Sequence, residues 1–401
     1  MTEKTKRLSA LAVFTLLIVP TVWNFEAAAV NPALNLIQVA FPDESIGKIQ
    51  FVGSLPFLTS FLFSIVAGRL ANHIDKKKIA IVGLALYGIV GMLPAFCNDM
   101  NIILLLRLLT GIGVGLVVPI PAMYIAEYYE GVKKERMLGF QNATFNFANS
   151  AISISVGVLL IYGWHAAFYS FGFMFIVLFF VLIGLPKSLP DKSLVEKQSH
   201  NEKVKLPGYT YIMLGGMILL WTVFIALVVS LAMLNGARNI VPLQVIGVIL
   251  ALPGGLSAVG ALLFPVFVRF KYVYIAIDLF ILGGGFLIGM NAQTPLPFVL
   301  CCVMVGIGQG GLVPYIVSST INHVSPEAKD AALGVVQSGM HLGGICGTAL
   351  SALIFAIGTG DLFKLAYSIY GYATVAAAII FVIVALTAKT KSVKADVTVS
   401  K

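Results

Sequence analysis

Two charged residues sit where their types are least at home. Glu26 lies in Trp23-Asn24-Phe25-Glu26-Ala27-Ala28, and Arg107 lies in Leu104-Leu105-Leu106-Arg107-Leu108-Leu109. A charge inside an apolar run is costly unless it meets a partner or water, so its default reading is functional. Glu26 has the chemistry to take and release a proton. Its bland reading is a solvated group at the outer mouth of a tilted helix. Arg107 has three uses: balancing Glu26, binding an anionic substrate group, or assisting proton movement. Its bland reading is snorkelling to the outer surface. An ion pair between the two is an expectation that sequence separation cannot measure.

A second group is polar but uncharged. Asn142, Asn146, Asn149 and Ser153 follow at steps of four, three and four, which puts them on one helical face. Gln337 and His341 are likewise four apart. Such a stripe inside lipid needs hydrogen-bond partners. A shared cavity supplies them, and so does bonding between helices. Asn24 and Gln309 join these residues as candidate cavity lining. His341 is the histidine best suited to proton coupling. Tyr124, Tyr315 and Trp221 line a route or simply pack.

The elements that hold these residues are membrane helices. The chain has 401 residues, of which 59% are hydrophobic and 11% charged. A soluble domain carries roughly 25% charged residues, so a soluble enzyme is excluded. About 20 apolar residues cross a bilayer. Twelve such runs lie near 8–37, 46–68, 79–97, 101–126, 137–161, 165–186, 209–234, 240–268, 272–290, 296–321, 331–357 and 362–387. They are continuous rather than alternating, which excludes barrel strands. The fold class expected is an all-α integral membrane protein with twelve transmembrane helices in two pseudo-symmetric six-helix bundles.

The net charge of +9 is a topology signal rather than a nucleic-acid signal. With both termini in the cytoplasm, 22 of the 26 Lys and Arg fall on that side and three in outer loops. The positive-inside rule fixes that orientation. A secondary attraction to anionic lipid follows the same charges. No cleavable signal peptide is evident, and a multi-pass protein of the cell membrane is expected. The cysteines fall in or at the edge of spans and read as buried small hydrophobes.

The chain also repeats itself. Gly111-Ile112-Gly113-Val114-Gly115-Leu116-Val117-Val118-Pro119 recurs 195 residues later as Gly306-Ile307-Gly308-Gln309-Gly310-Gly311-Leu312-Val313-Pro314. At the same offset Leu138-Gly139 matches Leu333-Gly334, Asn142 matches Gln337, and Asn146 matches His341. The glycines read as close helix packing, because no strand precedes them to build a phosphate loop. Six spans precede the polar stretch Lys187–Lys205 and six follow it. The expected organisation is a bundle over 1–186, a cytoplasmic linker over 187–208 and a second bundle over 209–401. Six is even, so the repeat is parallel, a pattern of secondary transporters with a site between the halves.

Four stretches carry a family resemblance. The loop Gly68-Arg69-Leu70-Ala71-Asn72-His73-Ile74-Asp75-Lys76-Lys77-Lys78 resembles the signature loop G-x-L-a-D-r-x-G-R-r of the major facilitator superfamily. Asn72 stands where that loop usually has Asp, His73 where Arg is frequent, and Asp75 where Gly is frequent. Arg107-x3-Gly111-x3-Gly115 looks like the family's R-x3-G-x3-G. Val30-Asn31-Pro32-Ala33-Leu34 resembles the V-N-x-A-L of drug:proton antiporters, and Trp164-His165-Ala166-Ala167-Phe168 resembles W-R-x-x-F. The G-P-x-x-G-G of many antiporters is missing from span 5, which reads Ser153-Ile154-Ser155-Val156-Gly157.

That resemblance implies alternating access about a cavity lined by spans 1, 4, 5, 7, 10 and 11. It implies a cytoplasmic gate at Gly68, Arg69, Asn72, Asp75, Lys76 and Lys77, with the usual acid replaced. It implies coupling through Glu26. Asp278 is a further intramembrane acid, on a helix usually peripheral in the family, where a structural pairing is expected. Walker, metal-spaced and nucleophile-elbow motifs are not found, so a proton gradient rather than a cofactor is the expected energy source. The expected partners are a small-molecule substrate, protons and the bilayer, with no nucleic acid, and a monomer suffices. The leading expectation is proton-coupled efflux of drug-like compounds. The alternatives are uptake or exchange of a small organic anion or nutrient, and a non-transporting membrane sensor.

Overall fold

The computed structural model describes residues 8–30, 33–44, 46–188, 206–238, 240–241, 243–270, 272–357 and 361–399. The linker residues 189–205, together with Asn31, Pro32 and Lys271, lie outside the described residues, as does the side chain of Ser153. Among the described residues the chain is helical, with no strand. The helices are α1 (Ala10–Ile18), α2 (Leu34–Ala40), α3 (Ile46–Leu70), α4 (Lys76–Met92), α5 (Met100–Val117), α6 (Ile120–Tyr128), α7 (Gly131–Leu159), α8 (His165–Tyr169), α9 (Phe173–Gly184), α10 (Gly208–Arg238), α11 (Leu243–Phe267), α12 (Tyr272–Gly289), α13 (Pro295–Gly310), α14 (Leu312–Asn322), α15 (Lys329–Ile357) and α16 (Leu362–Val399). Helix lies over every one of the twelve apolar runs. Nine helical stretches among the described residues are long and apolar enough to cross a membrane, and Ala10–Trp23 and Val273–Gly289 are shorter apolar helices.

Local chemistry sets several helix starts. Ser9 caps α1, its Oγ accepting from the Ala12 N–H at 3.1 Å. Asp99 caps α5, accepting from Asn101 N–H at 2.7 Å and Ile102 N–H at 3.2 Å. Each bond satisfies a donor that the first helical turn leaves unpaired.

The first run departs from expectation. It is not one continuous helix over 8–37. After α1 a 3-10 stretch covers Val19–Trp23 and a π turn covers Phe25–Ala29. Pro20 lacks the N–H that an α-helix uses at that position, and its ring crowds the preceding turn. The backbone therefore rewinds over the segment that holds Trp23, Asn24 and Glu26.

By contact density the chain divides into two compact units. One comprises Met1–Thr222 with Ile316–Cys346, and the other Val223–Tyr315 with Gly347–Lys401. The glycine repeat does the same packing job in each. A Cβ at Gly113 would sit 2.7 Å from both the Gly83 carbonyl oxygen and the Tyr87 nitrogen of α4, while one at Gly115 would sit 2.8 Å from the Ser60 carbonyl oxygen of α3. In the second unit a Cβ at Gly306 would sit 2.6 Å from the Pro253 carbonyl oxygen of α11, and one at Gly308 would sit 2.7 Å from the Leu282 nitrogen of α12. Alternate glycines thus let α5 and α13 each touch two neighbours backbone to backbone. Small residues permit this approach, and dispersion contacts then hold it.

Candidate functional site

The π turn opens the helix by one residue, a distortion frequent at functional sites, and Glu26 sits on it. Glu26 and Arg107 are both completely buried. Arg107 Nη2 donates to Glu26 Oε2 at 2.8 Å. Its Nε donates to the Val52 carbonyl oxygen at 2.7 Å, and its guanidinium carbon lies 5.5 Å from the Phe171 ring centroid. That aromatic face adds a cation–π attraction to a desolvated charge. Tyr87, also fully buried beside the pair, donates its hydroxyl to the Val22 carbonyl oxygen at 3.1 Å. Two polar atoms of the pair remain buried without a hydrogen bond: Glu26 Oε1 and Arg107 Nη1.

The two residues before Glu26 extend the site. Asn24 Nδ2 donates to the Phe145 carbonyl oxygen at 2.7 Å, and its Oδ1 is buried without a bond. Trp23 Nε1 donates to His341 Nδ1 at 3.1 Å. An indole nitrogen only donates, so Nδ1 must be the acceptor. That sets the neutral tautomer of His341, with its proton on Nε2. The ring is fully buried, and Nε2 has no partner. The Trp23 ring meets Trp221 edge-on at 4.9 Å, Phe145 at 5.5 Å and stacks on Phe57 at 5.9 Å. The site is therefore a charged pair and a neutral imidazole, separated by Trp23 and walled by aromatic rings.

The polar stripe is partly self-satisfied. Asn146 Nδ2 donates to the Asn142 carbonyl oxygen at 2.8 Å and to Asn142 Oδ1 at 2.7 Å. Asn146 is buried, Asn142 and Asn149 are half-buried, and Gln337 is buried. Gln309 lies in the other unit, where Ser257 Oγ donates to its Oε1 at 3.3 Å. Glu26, Arg107, Asn24 and His341 are linked directly or through Trp23 and Phe145; Gln309 is not among them.

On the lysine-rich side the signature loop works differently from its sequence pattern. Asp75 is buried and caps α4, its Oδ1 accepting from the Lys77 N–H at 2.9 Å and the Ser188 N–H at 3.1 Å. Lys76 carries the ion pairs, with Nζ 2.9 Å from Glu127 Oε2 and 2.8 Å from Asp330 Oδ2. Ser188 Oγ donates to the same Glu127 oxygen at 2.6 Å, and Lys77 Nζ donates to the Leu182 carbonyl oxygen at 2.7 Å. Burial pushes the Asp330 carboxyl above its ordinary range, with the Lys76 charge pulling the other way. Arg69 is exposed and Asn72 half-buried. Gly68 is a crossing point: a Cβ there would lie 2.7 Å from the Asp330 carbonyl oxygen and 2.9 Å from the Gly334 Cα.

Several of these residues escaped the reading of the sequence. Local pattern does not mark Glu127, Asp330, Glu135 or Asn322. The repeat offset would have found them, since 195 residues relate Glu127 to Asn322 and Glu135 to Asp330. The counterparts bond too. Ser318 Oγ donates to Glu135 Oε1, and Lys134 Nζ donates to Asn322 Oδ1.

A repeated scaffold of apolar helices, nine of them among the described residues long enough to cross a membrane, around a buried ion pair is the architecture of a multi-pass membrane protein. The family model described as Major Facilitator Superfamily matches residues 12–277, and the chain belongs to that family. Among curated proteins it is similar to the niacin transporter NiaP of Acinetobacter baylyi, at 23% identity over 44% of this chain and 41% of that protein. It is also similar to the 4-hydroxybenzoate transporter PcaK of Pseudomonas aeruginosa, at 26% over 46% and 37%, and to the quinolone resistance protein NorB of Staphylococcus aureus, at 25% over 44% and 38%. The chain thus spans less than half the length of these curated relatives. Two solved structures share the fold at 14% identity each. The human organic anion transporter MFSD10 has a TM-score of 0.75, covering 95% of this chain and 100% of that one. The proton:xylose symporter XylE has 0.72, covering 92% and 94%.

Proposed function

We propose that this protein is a proton-coupled secondary transporter of small organic molecules, working by alternating access. The observation that carries this reading is the fully buried Glu26–Arg107 pair with one free valence on each partner. A proton arriving at Glu26 neutralises the carboxylate and leaves Arg107 with an uncompensated charge. Breaking a buried pair in this way is strongly unfavourable, so the two protonation states favour different arrangements around α5. The proton gradient thereby becomes a conformational bias. The latch of Lys76 with Glu127 and Asp330, and the Gly68–Gly334 crossing, supply a cytoplasmic gate for that bias to act on.

The sign of coupling follows from substrate charge. A cationic drug-like substrate competes with the proton for Glu26, which gives antiport and efflux. NorB, named for quinolone resistance, is the relative that supports this reading. An organic anion instead takes Arg107 Nη1 once Glu26 is protonated, which gives proton-linked uptake. Two buried donors without partners, Arg107 Nη1 and His341 Nε2, favour this second reading. So do the names of the niacin and 4-hydroxybenzoate transporters. In this conformation His341 contributes an N–H donor; it takes a proton at Nδ1 only after Trp23 lets go.

One assay decides between them. The purified protein in proteoliposomes is given an imposed pH gradient and either a lipophilic organic cation or a small aromatic carboxylate. Efflux reading predicts cation movement against the proton flow, and uptake reading predicts carboxylate movement with it. Glu26→Gln is expected to abolish the response to the gradient in either case. Full pH dependence in that variant would remove Glu26 from the coupling role.

A further inference from the structure

The two units repeat their glycine packing but not the residues facing it. At the repeat offset, Gly83 and Ile79 in α4 become Asp278 and Tyr274 in α12. The first unit closes this place with backbone: a Cβ at Gly83 would lie 2.9 Å from the Gly113 carbonyl oxygen. The second unit opens it for a carboxyl group and a phenol. Asp278 and Tyr274 are each only 6% exposed. Asp278 Oδ2 is buried and accepts no hydrogen bond of normal geometry, and Tyr274, one helical turn earlier, is the polar side chain beside it.

The place is a break in the backbone. α13 ends at Gly310, Gly311 is a turn, and α14 begins at Leu312. A Cβ at Gly311 would overlap the Tyr274 hydroxyl and sit 2.6 Å from Asp278 Oδ2. Any other residue at 311 would therefore expel the pair. Of the elements packed on α12, the 3-10 turn Val268–Phe270 carries a cation, Arg269, whose guanidinium carbon lies 4.8 Å from the Phe270 ring centroid rather than on Asp278. α13 presents backbone at Gly308, and the turn after it does so at Gly311. α11 presents Phe264 and Phe267, whose rings lie 6.2 and 6.3 Å from that of Tyr274. α16 presents Thr374 and Val375 against Gly283, more than a turn further along. Among the described residues Tyr274 is the one titratable group beside Asp278, and no cation faces it.

An ionised carboxylate in such a place has only the Tyr274 hydroxyl beside it and no cation, whereas a neutral acid is tolerated. The charged form would face the backbone of Gly311, the residue at which the helix breaks, so gain or loss of the proton acts directly on that turn. We propose that Asp278 is a second proton-binding site, separate from Glu26, whose occupancy sets the geometry of the break between α13 and α14. The step is a simple one: a proton from water adds to Oδ2, giving a neutral carboxylic acid, and leaves to water on release. The site is independent of substrate identity, and its test does not use transport.

Infrared difference spectra of the protein in lipid, taken across a pH series, read the carbonyl stretch of protonated carboxylic acids. The expected result is a protonated-acid band that disappears as pH rises, is absent in Asp278→Asn, and persists in Glu26→Gln. Tyr274→Phe guards against a folding defect in the first variant; it should keep the band and shift its frequency. If Asp278→Asn and Tyr274→Phe both leave every protonated-acid band unchanged, the proposal is overturned. It is equally overturned if Asp278 is ionised throughout the series and sodium alone, titrated as its chloride, raises the melting temperature of the wild type but not of Asp278→Asn. Failure of Glu26 as coupling residue would leave these spectra untouched, so the two readings fail separately.

Discussion

Arg107 and Glu26 lie 81 positions apart in sequence and meet at 2.8 Å with no solvent exposure on either side chain. The approach depends on two backbone features: the π turn that carries Glu26 and the glycines that bring α5 against its neighbours. Burial makes the pair expensive to form. Each ion gives up hydration worth several kcal/mol, and the attraction repays this only where geometry is good. One acceptor and one donor of the pair are left over, so it is bonded less completely than a structural bridge would be.

The first prediction follows from that imbalance. Removing one partner strands the other charge, which typically costs about 3–5 kcal/mol. Arg107→Met should therefore lower the melting temperature more than Glu26→Gln, which keeps an acceptor for Nη2. The double variant Glu26→Gln with Arg107→Met should recover part of the loss. Thermal unfolding in lipid nanodiscs reads all three. A double variant as unstable as the sum of the singles would mean that the pair does not act as a unit.

The Gly68–Gly334 crossing gives a steric prediction. Each glycine stands where a Cβ would lie within 3 Å of the other's Cα, and the contacting atoms are backbone, which cannot move aside as a side-chain tip would. Overpacking of this kind costs about 1–3 kcal/mol. Gly68→Val and Gly334→Val should each loosen the contact between α3 and α15 and shift the accessibility of a cysteine probe at Ser64. Unchanged labelling rates in both variants would show that the crossing does not constrain the helices.

The ion pairs of Lys76 give a third. Asp330 is the partner furthest away in sequence, and Glu127 competes for the same ammonium. A double-mutant cycle with Lys76→Met and Asp330→Asn should give a coupling of about 0.5–3 kcal/mol, the range for residues in direct contact. Repeating the cycle with Glu127→Gln present should raise the coupling, because Lys76 then has one carboxylate instead of two. Strict additivity in both backgrounds would reduce the latch to a surface ion pair of little consequence.

What the sequence disclosed and what it hid follow from the same physics. Helix over the twelve runs was legible because lipid demands long apolar stretches, and the packing role of Gly111, Gly113 and Gly115 because a triplet repeated after 195 residues has few other uses. Glu26 and Arg107 stood out because charge in lipid needs a reason. The rewinding after Ile18 was not legible, since membrane helices tolerate proline and Pro20 alone does not announce a π turn. Nor was Asp75 as a helix cap. Its neighbour Lys76 took the ion pairs, and the partners Glu127 and Asp330 come from positions 51 and 254 residues on. Local pattern is blind to contacts of that separation. Asp278 was visible as an intramembrane acid, but its setting, with Tyr274 beside it and no cation among the described residues, is a property of packed helices.

The bond from Trp23 to His341 yields the last prediction. Nδ1 of His341 accepts from an indole that can only donate. Protonating the imidazole would put two N–H groups face to face, and burial offers no water to absorb the conflict. In the wild type, then, His341 stays neutral over the working pH range, and Glu26 alone sets the pH profile on this side of Trp23. Trp23→Phe keeps an aromatic ring against Phe57, Phe145 and Trp221 but removes the donor, leaving Nδ1 open to a proton. The pH profile of transport in Trp23→Phe should therefore acquire an additional inflection that is absent from the wild type and absent again in Trp23→Phe combined with His341→Gln. His341→Leu alone should weaken substrate binding, raising KM by removing the Nε2 donor, while leaving the shape of the profile as it was. A profile that loses its inflection in His341→Leu alone would transfer the proton-coupling role from Glu26 to the histidine.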